Sequence, residues 1–253
     1  MPIPWTIQVK KAHGRAWRIQ AASGRPLKSA EAARAKLAAL ADETIFSPRV
    51  HHDDPYTMSY TFKSGQYLQT VEVRQRLHVP WQLLLRINGI RRAEDIRAGQ
   101  TVKFIRGPFH AVVYKSQFVM DVYLHDTFVR RFRIAIGTPA TPTPSGFFRV
   151  QQGGKLLNAR YTPPPSSGVI QKSIPPGHPD YPLDANGHWI ALTGIPEKGT
   201  KLTAEDGYGI HGTNDPSSIG KAISYGCIRL SDRDIETVFS MLYEQWSTVR
   251  ILQ

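Results

Sequence analysis

The chain has 253 residues, with 32 Lys and Arg against 20 Asp and Glu and a formal net charge of +12. That length accommodates two or more cores, and the charge favours a polyanionic partner. The basic residues are scattered, as in Arg91-Arg92 and Arg130-Arg131, and no helix-turn-helix, zinc-finger or RNA-recognition signature is present, so nucleic acid is not the expected partner. The single cysteine excludes an intramolecular disulfide and leaves the redox compartment open. No run is long enough to span a membrane, and charges break the N-terminus before any signal-peptide core.

In chain order, Trp5, Ile7 and Val9 alternate with polar positions, as does Trp17 with Ile19, around a turn at His13-Gly14-Arg15. This predicts two short strands. Lys28 to Leu40 reads as a helix with Ser29 as N-cap and Ala33, Leu37 and Leu40 on one face, and Phe46 to Asp54 reads as a linker. From Tyr60 a strand, a Ser64-Gly65 turn and a helix carrying Leu68 and Val71 follow. A second helix opens at Pro80-Trp81 and stops at Asn88-Gly89, and Val102-Lys103-Phe104 alternates as a closing strand after Gly99.

The remainder reads as mostly β. Phe118, Met120, Val122 and Leu124 alternate, then Phe132, Ile134 and Ile136 do so across a hairpin turn at Asp126-Thr127. Thr138 to Gly146 and Thr162 to Gly187 are Pro- and Gly-rich loops, long enough to wall a cleft. Ser231 and Asp234 form a capping pair for a helix presenting Ile235, Val238, Phe239 and Leu242, and Val249 and Ile251 close with a strand.

The chemistry concentrates in His211 to Leu230. Cys227 is preceded by Gly226, and His211 lies between Ile210 and Gly212 with a further glycine at 209. A thiol is nucleophilic as thiolate, and an imidazole takes its proton, so the residue types suit acyl transfer. A lone cysteine is more often a small buried hydrophobe, and a lone histidine a satisfied one. The surrounding glycines favour the catalytic reading, because they let backbone approach a ligand or supply an amide to an oxyanion. His178 and His188 lack a partner at ligand spacing and read as ordinary loop histidines, so no metal is expected.

The run from His211-Gly212-Thr213-Asn214 to Ser224-Tyr225-Gly226-Cys227-Ile228-Arg229 resembles the signature of the L,D-transpeptidase (YkuD-domain) family. Ile136-Gly137-Thr138, then Thr143-Pro144-Ser145-Gly146-Phe147-Phe148, is similar to that family's upstream turn and strand. The resemblance covers Phe109 to Gln253. It departs at Tyr181-Pro182-Leu183-Asp184, where many members carry Asn-Pro-Leu-Gly. It implies Cys227 as nucleophile, His211 as base and then acid, and the Gly212 carbonyl as orienter of the imidazole. The Gly226 amide, with that of Cys227, is the expected oxyanion donor. Arg229, Ser224 and Tyr225 are the expected substrate contacts, with Arg229 pairing a stem-peptide carboxylate. The implied reaction releases D-alanine from peptidoglycan tetrapeptide stems and forms cross-links through a thioester, without cofactor. Hydrolysis of the same acyl-enzyme by an L,D-carboxypeptidase, and a non-catalytic peptidoglycan-binding envelope protein, are the alternatives.

Ser64-Gly65-Gln66-Tyr67-Leu68, Ile87-Asn88 and Gly99-Gln100-Thr101-Val102 resemble a LysM domain, with Gln66 in place of the usual Asp. The expected fold is therefore multidomain and mainly β. A small α+β segment and linker of unknown role (1–55) precedes a βααβ LysM-like glycan-binding domain (56–107). A YkuD-type, β-sandwich-like catalytic domain with few helices (108–253) follows. The implied partners are peptidoglycan stem peptides and glycan strands. The implied location is extracytoplasmic, in the cell envelope or a spore envelope, although no signal peptide is visible.

Overall fold

The protein, seen in a computed structural model, is described over residues 30–51, 54–163, 173–196 and 207–253. It divides into two compact units, one of residues 1–110 and 122–131, the other of residues 111–121 and 132–253. The expected N-terminal strands and the Ser29 cap lie outside the described residues. Among those residues no helix is long and apolar enough to cross a membrane.

In the first unit, helix α1 (Ala30–Thr44) is rich in alanine, the strongest helix former. Its buried stripe is Ala33, Leu37 and Ala41, continued by Ile45 beyond its end. Leu40, expected on this stripe, is only half-buried, because the contacts recur every four residues. Strand β1 (Thr57–Thr61), helices α2 (Leu68–Arg74) and α3 (Trp81–Ile87) and strand β2 (Thr101–Ile105) follow in the βααβ order. β1 and β2 pair antiparallel from Thr57↔Ile105 to Thr61↔Thr101. Asn88 ties α3 to β2: its Nδ2 donates to Leu84 O and Lys103 O, and its Oδ1 accepts from Lys103 N. Gln66 closes the turn before α2, its Oε1 accepting from Lys63 N at 2.8 Å and from the Tyr60 hydroxyl at 3.1 Å.

The alternation expected of β2 fails at Lys103, which is 2% exposed. Its Nζ donates to Ser47 O at 2.9 Å, Arg49 O at 2.7 Å and also Thr44 O. Helix α1 has no basic residue in its last turn, and its terminal carbonyls lack intrahelical partners. Lys103 supplies the missing donor from the sheet.

The remaining strands are, in chain order, β3 (Phe109–Tyr114), β4 (Val119–Leu124), β5 (Thr127–Arg133), β6 (Ile136–Gly137) and β7 (Gly146–Leu156). β8 (Trp189–Ile195), β9 (Gly209–Gly212), β10 (Ala222–Ser224), β11 (Ile228–Leu230) and β12 (Thr248–Leu252) complete them. The second unit is built on a sheet of order β11-β9-β8-β7-β12-β3. The expected sandwich thus resolves into one large mixed sheet and a two-stranded parallel ribbon of β6 and β10. β4 starts at Val119, because Phe118 takes a left-handed φ of 52°. The strand is buried on both faces, including Asp121 and Tyr123, rather than alternating. Ile134 falls in a break between β5 and β6.

Helix α4 (Asp232–Met241) is N-capped by Ser231, whose Oγ accepts from Asp234 N. It buries Ile235, Val238 and Met241 and packs on β9. Its C-terminal end is held by buried Lys155 of β7, whose Nζ donates to Phe239 O and Leu242 O at 2.7 and 2.6 Å. A shift of register in β7 aims that lysine, and Glu244 secures the shift by accepting from Gly153 N and Lys155 N. β9, wholly buried, is fixed from three sides.

Candidate active site

Two registers place the reactive side chains. Antiparallel β8 sets Trp189 opposite His211, and parallel β11 sets Arg229 opposite His211. Successive strand residues alternate faces, so these three share one, and Cys227, two residues before Arg229, returns to it beside Gly209. The Trp189 ring stacks on the imidazole at 5.4 Å with 15° between planes. A Cβ at Gly209 would lie 2.7 Å from Trp189 Cζ2, so glycine here admits the indole. The Tyr161 ring stands 6.3 Å from His211 on another side.

The imidazole has a defined tautomer. Nδ1 lies 2.6 Å from Gly212 O. A carbonyl only accepts, so Nδ1 carries the hydrogen and Nε2 of the neutral ring keeps its lone pair. Burial pushes the His211 pKa down to about 4; the Gly212 carbonyl opposes this, Arg229 adds to it and Asp184 opposes it. Burial likewise pushes the Cys227 thiol up to about 11, against the Gly209 amide and the Arg229 charge. Its Sγ has a long 3.9 Å contact to Gly207 O. Burial therefore favours the neutral thiol and the neutral imidazole.

The turn before Cys227 is held internally. Ser224 Oγ donates to Cys227 O at 2.6 Å and accepts from Gly226 N at 3.1 Å. Both groups thereby hold the turn from within. Gly226 has φ +113°, and a Cβ there would lie 2.8 Å from the Tyr208 ring. The upstream motif closes over the same turn: Thr138 N and Thr141 Oγ1 both donate to Ser224 O at 3.0 Å. Thr143 Oγ1 accepts from Gly137 N at 2.8 Å, and Thr143 O accepts from Lys115 Nζ at 2.9 Å. The two motifs met separately along the chain thus form one structure. Tyr225 stands at the rim, 39% exposed. Arg229 is fixed through its backbone, exchanging bonds of 3.0 and 2.9 Å with Ala135, while its buried Nε has no partner among the described residues.

Sequence reasoning missed Trp189, Tyr161 and Asp184 at this site. The loop residue His188 is 5% exposed with Nδ1 2.6 Å from Asp184 Oδ2. The partner was in view four residues upstream, but a Pro- and Gly-rich loop gave no period by which to pair them. His178 is a partly exposed loop residue whose Nδ1 accepts from Asp180 N. Among the described residues, no group of three or more His, Cys, Asp and Glu is placed to hold a metal ion.

The model of the YkuD family, the L,D-transpeptidase catalytic domain, matches residues 108–251. The chain belongs to the YkuD family. The Bacillus licheniformis protein named L,D-transpeptidase YkuD is 28% identical over 191 residues, 73% of this chain and 93% of that one. The Bacillus subtilis protein named L,D-transpeptidase YqjB is 34% identical over 138 residues, 54% of this chain and 67% of that one. Among solved structures, an L,D-transpeptidase from Mycobacterium smegmatis aligns with TM-score 0.44 and 19% identity. That alignment covers 61% of this chain, which spans 64% of that one. The YkuD match contains every candidate site residue from Cys227 and His211 to Asp184.

Proposed function

We propose that this protein is a peptidoglycan L,D-transpeptidase with Cys227 as nucleophile. The observation that carries the reading is the imidazole whose tautomer Gly212 O fixes, on the strand face to which Cys227 returns. Sγ attacks the carbonyl between the third residue and the terminal D-alanine of a tetrapeptide stem, and its proton passes to His211 Nε2. The C–N bond breaks, Nε2 returns that proton to the departing amine, and a thioester remains. An amine of a second stem then attacks the thioester, its proton passing through Nε2 to the released sulfur. Since Gly226 N–H is engaged, the Cys227 amide is the oxyanion donor in this scheme. The unpartnered Arg229 Nε is the donor offered to a stem carboxylate.

The βααβ unit acts, in this proposal, as a LysM-type module holding the enzyme on glycan strands. The +12 charge suits an anionic wall and supports a location in the cell or spore envelope. The test is mass spectrometry of disaccharide-tetrapeptide incubated with the protein and with Cys227→Ala. Loss of D-alanine with cross-linked dimers, absent in the variant, is the expected result. Trimmed monomer alone would replace transfer by hydrolysis, and no turnover with wall binding retained would leave a binding protein.

A further inference from the structure

We propose that Asp184 is a positioning residue for His211, bracing Gly212 from behind β9 and setting a carboxylate against the charge the imidazole acquires. The role builds on the transpeptidase reading, but the geometry is independent of which acceptor is used. Asp184 is 1% exposed. Its Oδ1 accepts from His188 N at 2.9 Å, and its Oδ2 accepts from Asn186 N at 3.1 Å and faces His188 Nδ1 at 2.6 Å. His188 packs edge-on against Phe239 of α4 at 5.0 Å. The carboxylate is thus held between a loop and a helix. Burial would raise its pKa, yet the His188 side chain, with the His188 and Asn186 amides, holds it below the usual carboxylate range.

What it touches is the informative part. A Cβ built on Gly212 would overlap Asp184 Oδ1, Cβ and Cγ, so the residue packs directly on the backbone whose carbonyl orients His211. His211 points to the opposite face of β9, by the alternation that pairs it with Trp189 and Arg229. When the thiol proton reaches Nε2, the ring becomes a buried cation. Among the described residues, the groups around it are Arg229 of β11, Cys227, the Tyr161 ring of the loop after β7 and the uncharged Trp189 of β8. Arg229 disfavours that cation, and Asp184 favours it. A second negative group farther behind Asp184 is not required, because His188 and the two amides fix its orientation.

The decisive readout is the titration of His211 itself, followed by NMR on histidine-labelled full-length protein and assigned with His211→Gln. Asp184→Asn, nearly the same shape without the charge, is expected to move the His211 midpoint to lower pH. Asp184→Glu is expected to restore most of that shift, and Asp184→Ser carries the same expectation as Asn if the amide is not accommodated. On the tetrapeptide, the Asn variant should lose roughly 10- to 100-fold in kcat with KM little changed. An unmoved midpoint with unchanged kcat would overturn the proposal, even if thermal stability fell. A wild-type protein inactive on the tetrapeptide would count against the transpeptidase reading instead, and the His211 midpoint would still decide the role of Asp184.

Discussion

The two units can be compared through the polar groups that each one buries. In the smaller, Lys103 is buried with three carbonyl acceptors around its Nζ. In the larger, Lys155 closes the end of α4 in the same way. The larger unit also buries the Cys227 sulfur, which has a 3.9 Å contact, and the Arg229 Nε, which has no partner among the described residues. The smaller buries His51 Nε2 and Thr127 Oγ1 in that same state. A buried donor with all its partners fixes structure, whereas one left short is costly. The contrast therefore runs between closed and open groups rather than between the units.

The largest effect is expected beside the open groups of the larger unit. In the proposed scheme His211→Ala removes the base and should lower the rate of D-alanine release by about 10²- to 10⁴-fold while leaving thermal stability near wild type, as activity and melting measured together would report. A large fall in stability instead would make His211 a structural residue like the lysines. Next comes Gly226→Ala, which forces a side chain into φ +113° and against Tyr208. The strain costs on the order of 1–3 kcal/mol if the turn holds. Because the turn carries Cys227, alkylation of the thiol should change as well as the denaturation midpoint.

Lys103→Met sharpens the comparison from the other side. It keeps the aliphatic stem but leaves the carbonyls of Thr44, at the end of α1, and of Ser47 and Arg49 beyond it without their donor, a loss of about 1–3 kcal/mol in denaturant unfolding. D-alanine release at a temperature where the variant is folded should be unchanged. Lys155→Met is the control with the same chemistry in the other unit. Because α4 packs on β9, it should reduce activity as well as stability.

The same division governs what could be read beforehand. Cys227, His211 and the Thr143–Phe148 motif were legible because their chemistry depends on neighbours in the chain, as were the helix capped by Ser231 and the βααβ order. Lys103 was not, since alternation assigns a lysine outward and only the distant carbonyls of Thr44, Ser47 and Arg49 make an inward one stable. Trp189 and Tyr161 reach His211 through sheet register and a long loop, which no local pattern encodes. The bonds that Ser224 makes across its turn, from Gly226 N and to Cys227 O, likewise depend on a backbone geometry that the motif does not spell out.

The smallest expected effect is on the pH dependence, and it follows from the reactive pair being buried neutral. The folded His211 pKa is depressed to about 4 from the ordinary 6.5, so the unfolded chain binds more protons between those values. This contribution to stability is fully present above pH 6.5 and is lost as pH falls through 4. The folded Cys227 pKa is raised to about 11 from 9, so the sign is reversed. Its contribution is present below pH 9 and is lost as pH rises through 11. Unfolding measured against pH for wild type and for His211→Gln should therefore differ in slope on the acid side only, and Cys227→Ser should differ on the alkaline side only. Iodoacetamide offers a second reading of the same state: alkylation of folded Cys227 should climb about tenfold per pH unit from 8 towards 10, as expected for a thiolate still scarce there. A rate already at its plateau by pH 8 would mean that a thiolate–imidazolium pair forms before substrate arrives.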